Sequence, residues 1–217
     1  MKTIQQKAEA LLNRPLKKSD GMSESEIKAV EEKLNISLPE ILKEFYQCVG
    51  NLEMFMDAYE YFIEPYIFDN KLVFLEENQG VCIWGIALNE LTDNNAQVYM
   101  CTDTEKKNTE WYEENVTLLQ FIQISIYYQL AQGGYENGGA IYESNFGSRK
   151  EFLYNIPKIT EGWEKVVDHN GLAIYQQQDK LIWYFYDREG NIEDMIYAST
   201  NTEKGFKEME KLGFTEL

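Results

Sequence analysis

Residues 23–50, SESEIKAVEEKLNISLPEILKEFYQCVG, read as two helices joined by a short Leu-Pro turn. Ser23 stands as N-cap with Glu26 three positions on, the reciprocal pairing that satisfies amide groups left over at a helix start. Ile27, Val30 and Leu34 then fall on one face at helical spacing. Ser37 and Pro39 mark the second start, Ile41, Leu42, Phe45 and Val49 line up, and Gly50 supplies a stop. The two helices are expected to pack as a hairpin.

Upstream, Ile4, Ala8, Leu11 and Leu12 predict a short amphipathic helix that must be over by Pro15. Downstream, YEYFIEPYIF (59–68), KLVFLEE (71–77), GVCIWGIAL (80–88) and AQVYMCT (96–102) are aromatic and β-branched runs that read as strands. Asn70-Lys71 and Asn78-Gln79-Gly80 supply reversals, so neighbours should be antiparallel. Residues 117–131, TLLQFIQISIYYQLA, return to helical spacing and predict a buried helix. GGYENGGA (133–140) lacks the preceding strand and the Lys-Ser/Thr pair of a phosphate-binding loop and reads as a flexible helix exit. From residue 148 the chain reads as a small extension. Its strands are GLAIYQQQ, KLIWYFYD and DMIYAST, with a turn at DREGN (187–191) and a closing helix from Thr202. The expected architecture is α+β. A helix over 1–19 precedes a domain at 20–142, whose N-terminal helical hairpin packs on an antiparallel-rich sheet, and a strand-rich extension at 148–217 ends in a helix.

Among 217 residues, 37 acids oppose 20 bases, a net charge of −17 that excludes a general grip on nucleic-acid phosphates. The N-terminus has polar residues within its first seven positions and no long apolar stretch, and no segment nears the roughly 20 apolar residues of a membrane span, so neither a secretory signal nor membrane attachment is expected. Cys48, Cys82 and Cys101 form no CxxC pair, which fits reduced thiols in a cytoplasmic protein. The single His169 lies in VVDHNGLAIY, where DHNG reads as a turn between strands. One imidazole cannot build a multi-histidine zinc site, and no nucleophile elbow accompanies it. No catalytic residue, no metal and no cofactor is therefore expected.

The negative charge is uneven. Residues 51–110 hold twelve acids and three bases, whereas residues 1–50 hold eight of each. Within the acidic segment carboxylates alternate with aromatics, a combination that offers both steering for a basic protein partner and rigid anchors at an interface. The candidate partner-binding residues are Asp57, Tyr59, Glu60, Tyr61, Glu64, Asp69, Glu76, Glu77, Asp93 and Asp103, alongside Tyr66 in the same run. A solvated surface over a Tyr-rich core would give any one of these acids equally well.

Residues 20–142 resemble the SUKH superfamily, named for its yeast glucan-synthesis-regulator member and its bacterial relatives. The resemblance rests on Glu24, Ile27, Glu31, Leu34, Leu38, Pro39 and Gly50, then on LVFLEENQGVCIWGIAL with Gly85 after Trp84, the AQVYMCT strand and the Gly-rich 133–140. The chain departs from the family's frequent Asn-Gly at the second helix end by reading Gly50-Asn51. The resemblance implies a binding domain without catalytic residues. Bacterial SUKH proteins are commonly immunity proteins that neutralise polymorphic toxins, often nucleases, while the yeast member regulates cell-wall synthesis. An acidic face that imitates phosphate density over a basic toxin's cleft would suit the first role, and a scaffold for another intracellular partner is the alternative.

Overall fold

The chain is described by a computed structural model over residues 3–58, 60–93, 95–102 and 109–217. Helix α1 (Ile4–Leu12) buries Ile4, Ala8, Leu11 and Leu12, the four positions its periodicity selects. Ser23 caps helix α2 (Glu24–Leu34): the Glu26 amide donates to Ser23 Oγ at 3.3 Å, and the Ser23 amide donates to Glu26 Oε2 at 2.7 Å. The helix ends at Asn35, whose φ of 54° turns the chain out of the helical path. Helix α3 (Glu40–Val49) follows, and Glu31 ties the pair together by accepting from the Leu38 amide at 2.8 Å and pairing with Lys43 at 3.2 Å. This is the expected hairpin.

Gly50 does end α3, but at φ −62° and not in the left-handed conformation usual for a terminal glycine. Its lack of a side chain serves close packing. A Cβ on Gly50 would sit 2.5 Å from the Tyr46 carbonyl oxygen, and one on Gly21 only 1.6 Å from that of Gln47. The segment entering α2 thus crosses the end of α3 backbone to backbone, with the Met22 amide donating to the Tyr46 carbonyl at 2.9 Å. Asn51 locks the crossing, its side-chain amide donating to the Gly21 carbonyl at 2.7 Å. The Gly50-Asn51 order therefore has a packing purpose.

Two compact units result, the first comprising residues up to Glu9 and Pro15–Gly134, the second Ala10–Arg14 and Tyr135–Leu217. The first holds an antiparallel sheet of β1 (Glu60–Phe68), β2 (Lys71–Glu77), β3 (Ile83–Ala87), β4 (Gln97–Cys101) and β5 (Trp111–Thr117), in sequence order. The first reversal is centred on Asp69 and Asn70, one residue before the expected Asn70-Lys71, because a tight hairpin needs two left-handed residues and these have φ of 47° and 60°. Helix α4 (Glu53–Met56), a single turn, and β5 were not anticipated; β5 is polar by composition and is held by its pairing with β4. Helix α5 (Leu118–Gln129) is the buried helix expected there. Its Phe121 meets Phe74 of β2 and Trp84 of β3 at ring separations of 6.0 and 6.2 Å, while Phe45 of α3 meets Phe62 of β1 at 4.4 Å.

The second unit is a six-stranded antiparallel sheet built from β6 (Asn137–Tyr142), β7 (Glu164–His169), β8 (Leu172–Gln177), β9 (Lys180–Phe185), β10 (Met195–Thr200) and β11 (Thr215–Glu216), in the order β11-β6-β10-β9-β8-β7. Helices α6 (Arg149–Ile159) and α7 (Glu203–Glu210) bury Phe152, Ile156, Phe206 and Met209 against Ile141, Ile182 and Ile196. The turns at Asn170-Gly171 and at 187–191 and the Thr202-capped helix agree with the sequence. The reading of 133–140 as a flexible exit does not hold for its second half. Asn137–Ala140 belong to β6, where Gly139 lets β11 approach so closely that a Cβ would lie 2.6 Å from the Thr215 carbonyl oxygen. Helix α6 was also missed: Ser148 caps it by accepting from the Glu151 amide at 3.2 Å, but Pro157 inside it reads as a helix breaker.

Replacing Gly21 by Ala places a methyl group on the Gln47 carbonyl, where neither backbone can yield. The expected loss is about 3 kcal/mol or more, at the upper end of overpacking effects. Chemical denaturation of the variant, with unchanged stability as the contrary outcome, checks the crossing.

Candidate functional site

Alternation along β2 would by itself put Glu77 with Lys71 and Val73, and Glu76 on the other side. A β-bulge prevents this. Val73 pairs with Gly85 and Leu75 with Trp84, so Phe74 is an extra residue without a partner on β3, and every later side chain changes face. Phe74 and Leu75 both join the helix side, one against Phe121 and the other opposite Phe62. Glu76 is thereby turned to the second face and Glu77 to the helix side.

That second face carries an aromatic cluster. Val73, Ile83 and Cys101 are buried beneath half-buried Ile63, Tyr66, Phe68 and Trp111. Tyr66 donates its hydroxyl to Glu76 at 2.8 Å, and Trp111 donates its indole N–H to Asp69 at 2.9 Å. Lys71 lies over the rings of Tyr99 and Trp111 at 4.3 and 5.1 Å. Burial and the neighbouring Glu76 carboxylate push the Tyr66 hydroxyl well above its ordinary pKa, which keeps it a donor. Tyr61, opposite Glu76 in the register, is exposed. The result is a surface of fixed rings whose polar ends are already bonded to carboxylates, arranged to meet another protein with little side-chain entropy to lose.

On the helix side of the same strands the chemistry is different. Glu60 is only 9% exposed and stands directly opposite Glu77. Its backbone is gripped by the side-chain amide of buried Gln129, which donates to the Glu60 carbonyl and accepts from the Glu60 amide. Glu77 takes the amides of Gln79 and Val81, at 2.8 and 3.3 Å, and Glu114 takes the Trp84 indole N–H at 2.8 Å. Burial first, then the like charges of Glu114 and Glu77, push the Glu60 carboxyl up to about 8. Burial also raises the nearby Cys82 thiol, with Glu77 and Glu60 adding to it, which makes it a poor nucleophile at neutral pH.

The ten candidate residues do not form one patch. Tyr61, Asp69 and Glu76 gather on or beside the aromatic face, whereas Glu60 and Glu77 face the helices. Glu64 is exposed and pairs with Lys33 at 2.5 Å. Next to it, between α2, α3 and β1, lies a cavity of about 190 Å³ with Met22, Val30, Leu38 and Phe62 in its walls. Asp57 is exposed at the end of α4, and Asp93 accepts the Asn95 amide in a turn before β4. Tyr59 and Asp103 lie outside the described residues. The sequence reading missed Lys71, Tyr99, Trp111 and Glu114. Trp111 and Tyr112, paired aromatics just past the acidic segment, were the available signal.

Among the described residues no cluster of His, Cys, Asp and Glu has the spacing to hold a metal ion, and no helix is long and apolar enough to cross a membrane. The model of the SMI1 / KNR4 family (SUKH-1) matches residues 21–124, a span that takes in α2 to α4, the five-stranded sheet and the first half of α5. No curated protein and no solved structure matches the chain.

Glu60 makes stability depend on pH with a definite sign. The unfolded chain loses this proton near 4.5 and the folded chain near 8, so stability from this group is complete below pH 4.5 and declines as pH rises to about 8. Glu60→Gln should match the parent at pH 4.5 and exceed it by on the order of 4 to 5 kcal/mol at pH 8 and above. Urea titrations of both proteins across that range measure the difference.

Proposed function

We propose that the chain, whose residues 21–124 match the SUKH-1 family model, is a non-enzymatic cytoplasmic immunity protein that binds and neutralises a basic toxin domain of the nuclease class. SUKH domains serve in general as protein-binding modules. The observation that carries the finer reading is the aromatic face of the first sheet. Ile63, Tyr66, Phe68 and Trp111 supply rigid contact area, and Asp69 and Glu76 fix the rings while presenting negative charge.

The two parts have separate physical roles. Long-range attraction between an acidic protein and a basic toxin raises association from about 10⁵–10⁶ toward 10⁸ M⁻¹s⁻¹ at low salt, and the buried rings then slow release. Fast capture is what an inhibitor needs if the toxin acts on the same cell. The protein itself needs no metal for this, so chelators should leave its melting temperature unchanged.

With the partner isolated by native pull-down, Glu64→Gln, Asp69→Asn and Glu76→Gln together should slow association about tenfold and flatten its salt dependence. Gln at Glu189, Glu203 and Glu210, which are exposed in the second unit, should do much less. Glu208 is left out of that control because it bonds buried Lys180 at 2.5 Å. Trp111→Ala should raise the dissociation rate about thirtyfold, corresponding to roughly 2 kcal/mol for a central aromatic anchor. Equal effects of the two acid sets would reduce the electrostatics to net charge, and an unaltered dissociation rate for Trp111→Ala would remove the aromatic face from the interface.

A further inference from the structure

An ammonium group is strongly hydrated, and one that lies over aromatic rings has exchanged part of that water for the negative ring faces. Lys71 does so at two rings at once, with its Nζ 4.3 Å from the Tyr99 centroid and 5.1 Å from that of Trp111. Among the described residues it makes no ion pair, and within residues 51–110 it is the one described base. The intervening strand leaves the way open. β3 places Ala87 opposite Lys71 and Gly85 opposite both Val73 and Tyr99, so no long side chain stands between the lysine and the rings. Trp111 is fixed independently of the lysine, by its bond to Asp69 at 2.9 Å and by Phe68 at a ring separation of 6.3 Å. Exposed Glu113 stands opposite Tyr99 in the register, so negative charge borders the rings at Asp69 and at Glu113.

We propose that Tyr99 and Trp111 form an ammonium site, which Lys71 fills in the free protein and a lysine of the binding partner fills in the complex. This rests on the reading of the chain as a binder of a basic protein through its aromatic face, and it names the group that the face takes. The occupant in place indicates the ligand class. A compact ammonium reaches two rings from one point, whereas a planar guanidinium stacks to best effect on one.

Displacement has a definite balance. On leaving, Lys71 regains its hydration and its side-chain freedom, which offsets part of the cost of removing it from the rings. The tethered ammonium also confers selectivity. An isolated cation must compete with a lysine held at high local concentration, so a partner that makes further contacts with the face is favoured over small cations.

The test uses the intact chain at constant ionic strength, with N-acetyllysine amide as probe. The readouts are the ¹H resonances of the Lys71 ε-methylene and of the Trp111 indole N–H. In the free protein the ε-methylene should lie upfield of its ordinary position, in the ring currents of Tyr99 and Trp111, and the probe should return it toward that position saturably. Lys71→Ala and Lys71→Ser, each checked for folding by circular dichroism, should bind the probe roughly tenfold more tightly, read at Trp111, because no tethered ammonium competes. N-acetylnorleucine amide, similar in shape but uncharged, should not saturate, and N-acetylarginine amide should bind several-fold more weakly. Trp111→Ala added to Lys71→Ala should abolish the response, read at the Tyr99 ring. Equal probe affinity with and without Lys71, absence of saturation in both Lys71 variants, or a norleucine or arginine response equal to that of lysine overturns the proposal. These outcomes are distinct from those of the kinetic test. Trp111→Ala can speed dissociation of the partner through packing alone when the probe fails to bind, and an unaltered dissociation rate beside a saturable probe response would remove the partner reading and leave the ammonium site.

Discussion

One extra residue in β2 governs what the first sheet presents on its two sides. With Phe74 bulged, four consecutive residues, Leu72 to Leu75, are buried, because the strand feeds the helix-side core twice in succession before alternation resumes. The core gains both Phe74 and Leu75 against α5 and β1. The two glutamates that follow are then dealt to opposite faces, Glu76 to the aromatic cluster and Glu77 to the side of the buried Glu60 carboxyl. Removing the bulge would exchange their surroundings, setting Glu77 among the rings and Glu76 beside Glu60.

The two faces use negative charge in contrasting ways. On the aromatic side Asp69 and Glu76 are hydrogen-bonded by Trp111 and Tyr66, so their charge is held in position at a modest cost in solvation. On the helix side the buried Glu60 carboxyl has the like charges of Glu114 and Glu77 acting on it, and its ionisation is resisted up to about pH 8. A protein tolerates such a group when the surrounding structure is rigid enough to hold it, and Gln129 provides that rigidity by bonding both backbone groups of Glu60 as a neighbouring strand would. The net charge of −17 consequently overstates the field available at neutral pH, since Glu60 is largely protonated there.

Much of the architecture was legible in residue order because the signals are local. A capping box, a Leu-Pro start, helical spacing in 117–131 and aromatic runs broken by Asn and Gly are decided within a few residues, and they gave α1 to α3, β1 to β4, α5 and the closing helix at their observed places. β5 was illegible because WYEENVT gains its strand character from β4 and not from its own side chains. Helix α6 was illegible because Pro157 argues against a helix that burial of Phe152 and Ile156 nevertheless stabilises. The Gly-rich segment misled for a related reason: its glycines look like freedom, but at Gly139 the missing side chain admits a neighbouring strand.

The sequence by itself determined the α+β class, the helical hairpin, the family resemblance and the concentration of acids in residues 51–110, all of which are properties of short windows or of composition. Tertiary structure alone decided which acids meet. Glu60, Glu77 and Glu114 are brought within electrostatic reach by three strands, and Asp69 is joined to Trp111 across forty-two positions. The physical reason is that a carboxylate's role depends on its solvation and on the sign and distance of its neighbours, and those are set by the pairing register of the sheet. A single-residue bulge shifts that register by one and reverses the face of every side chain after it.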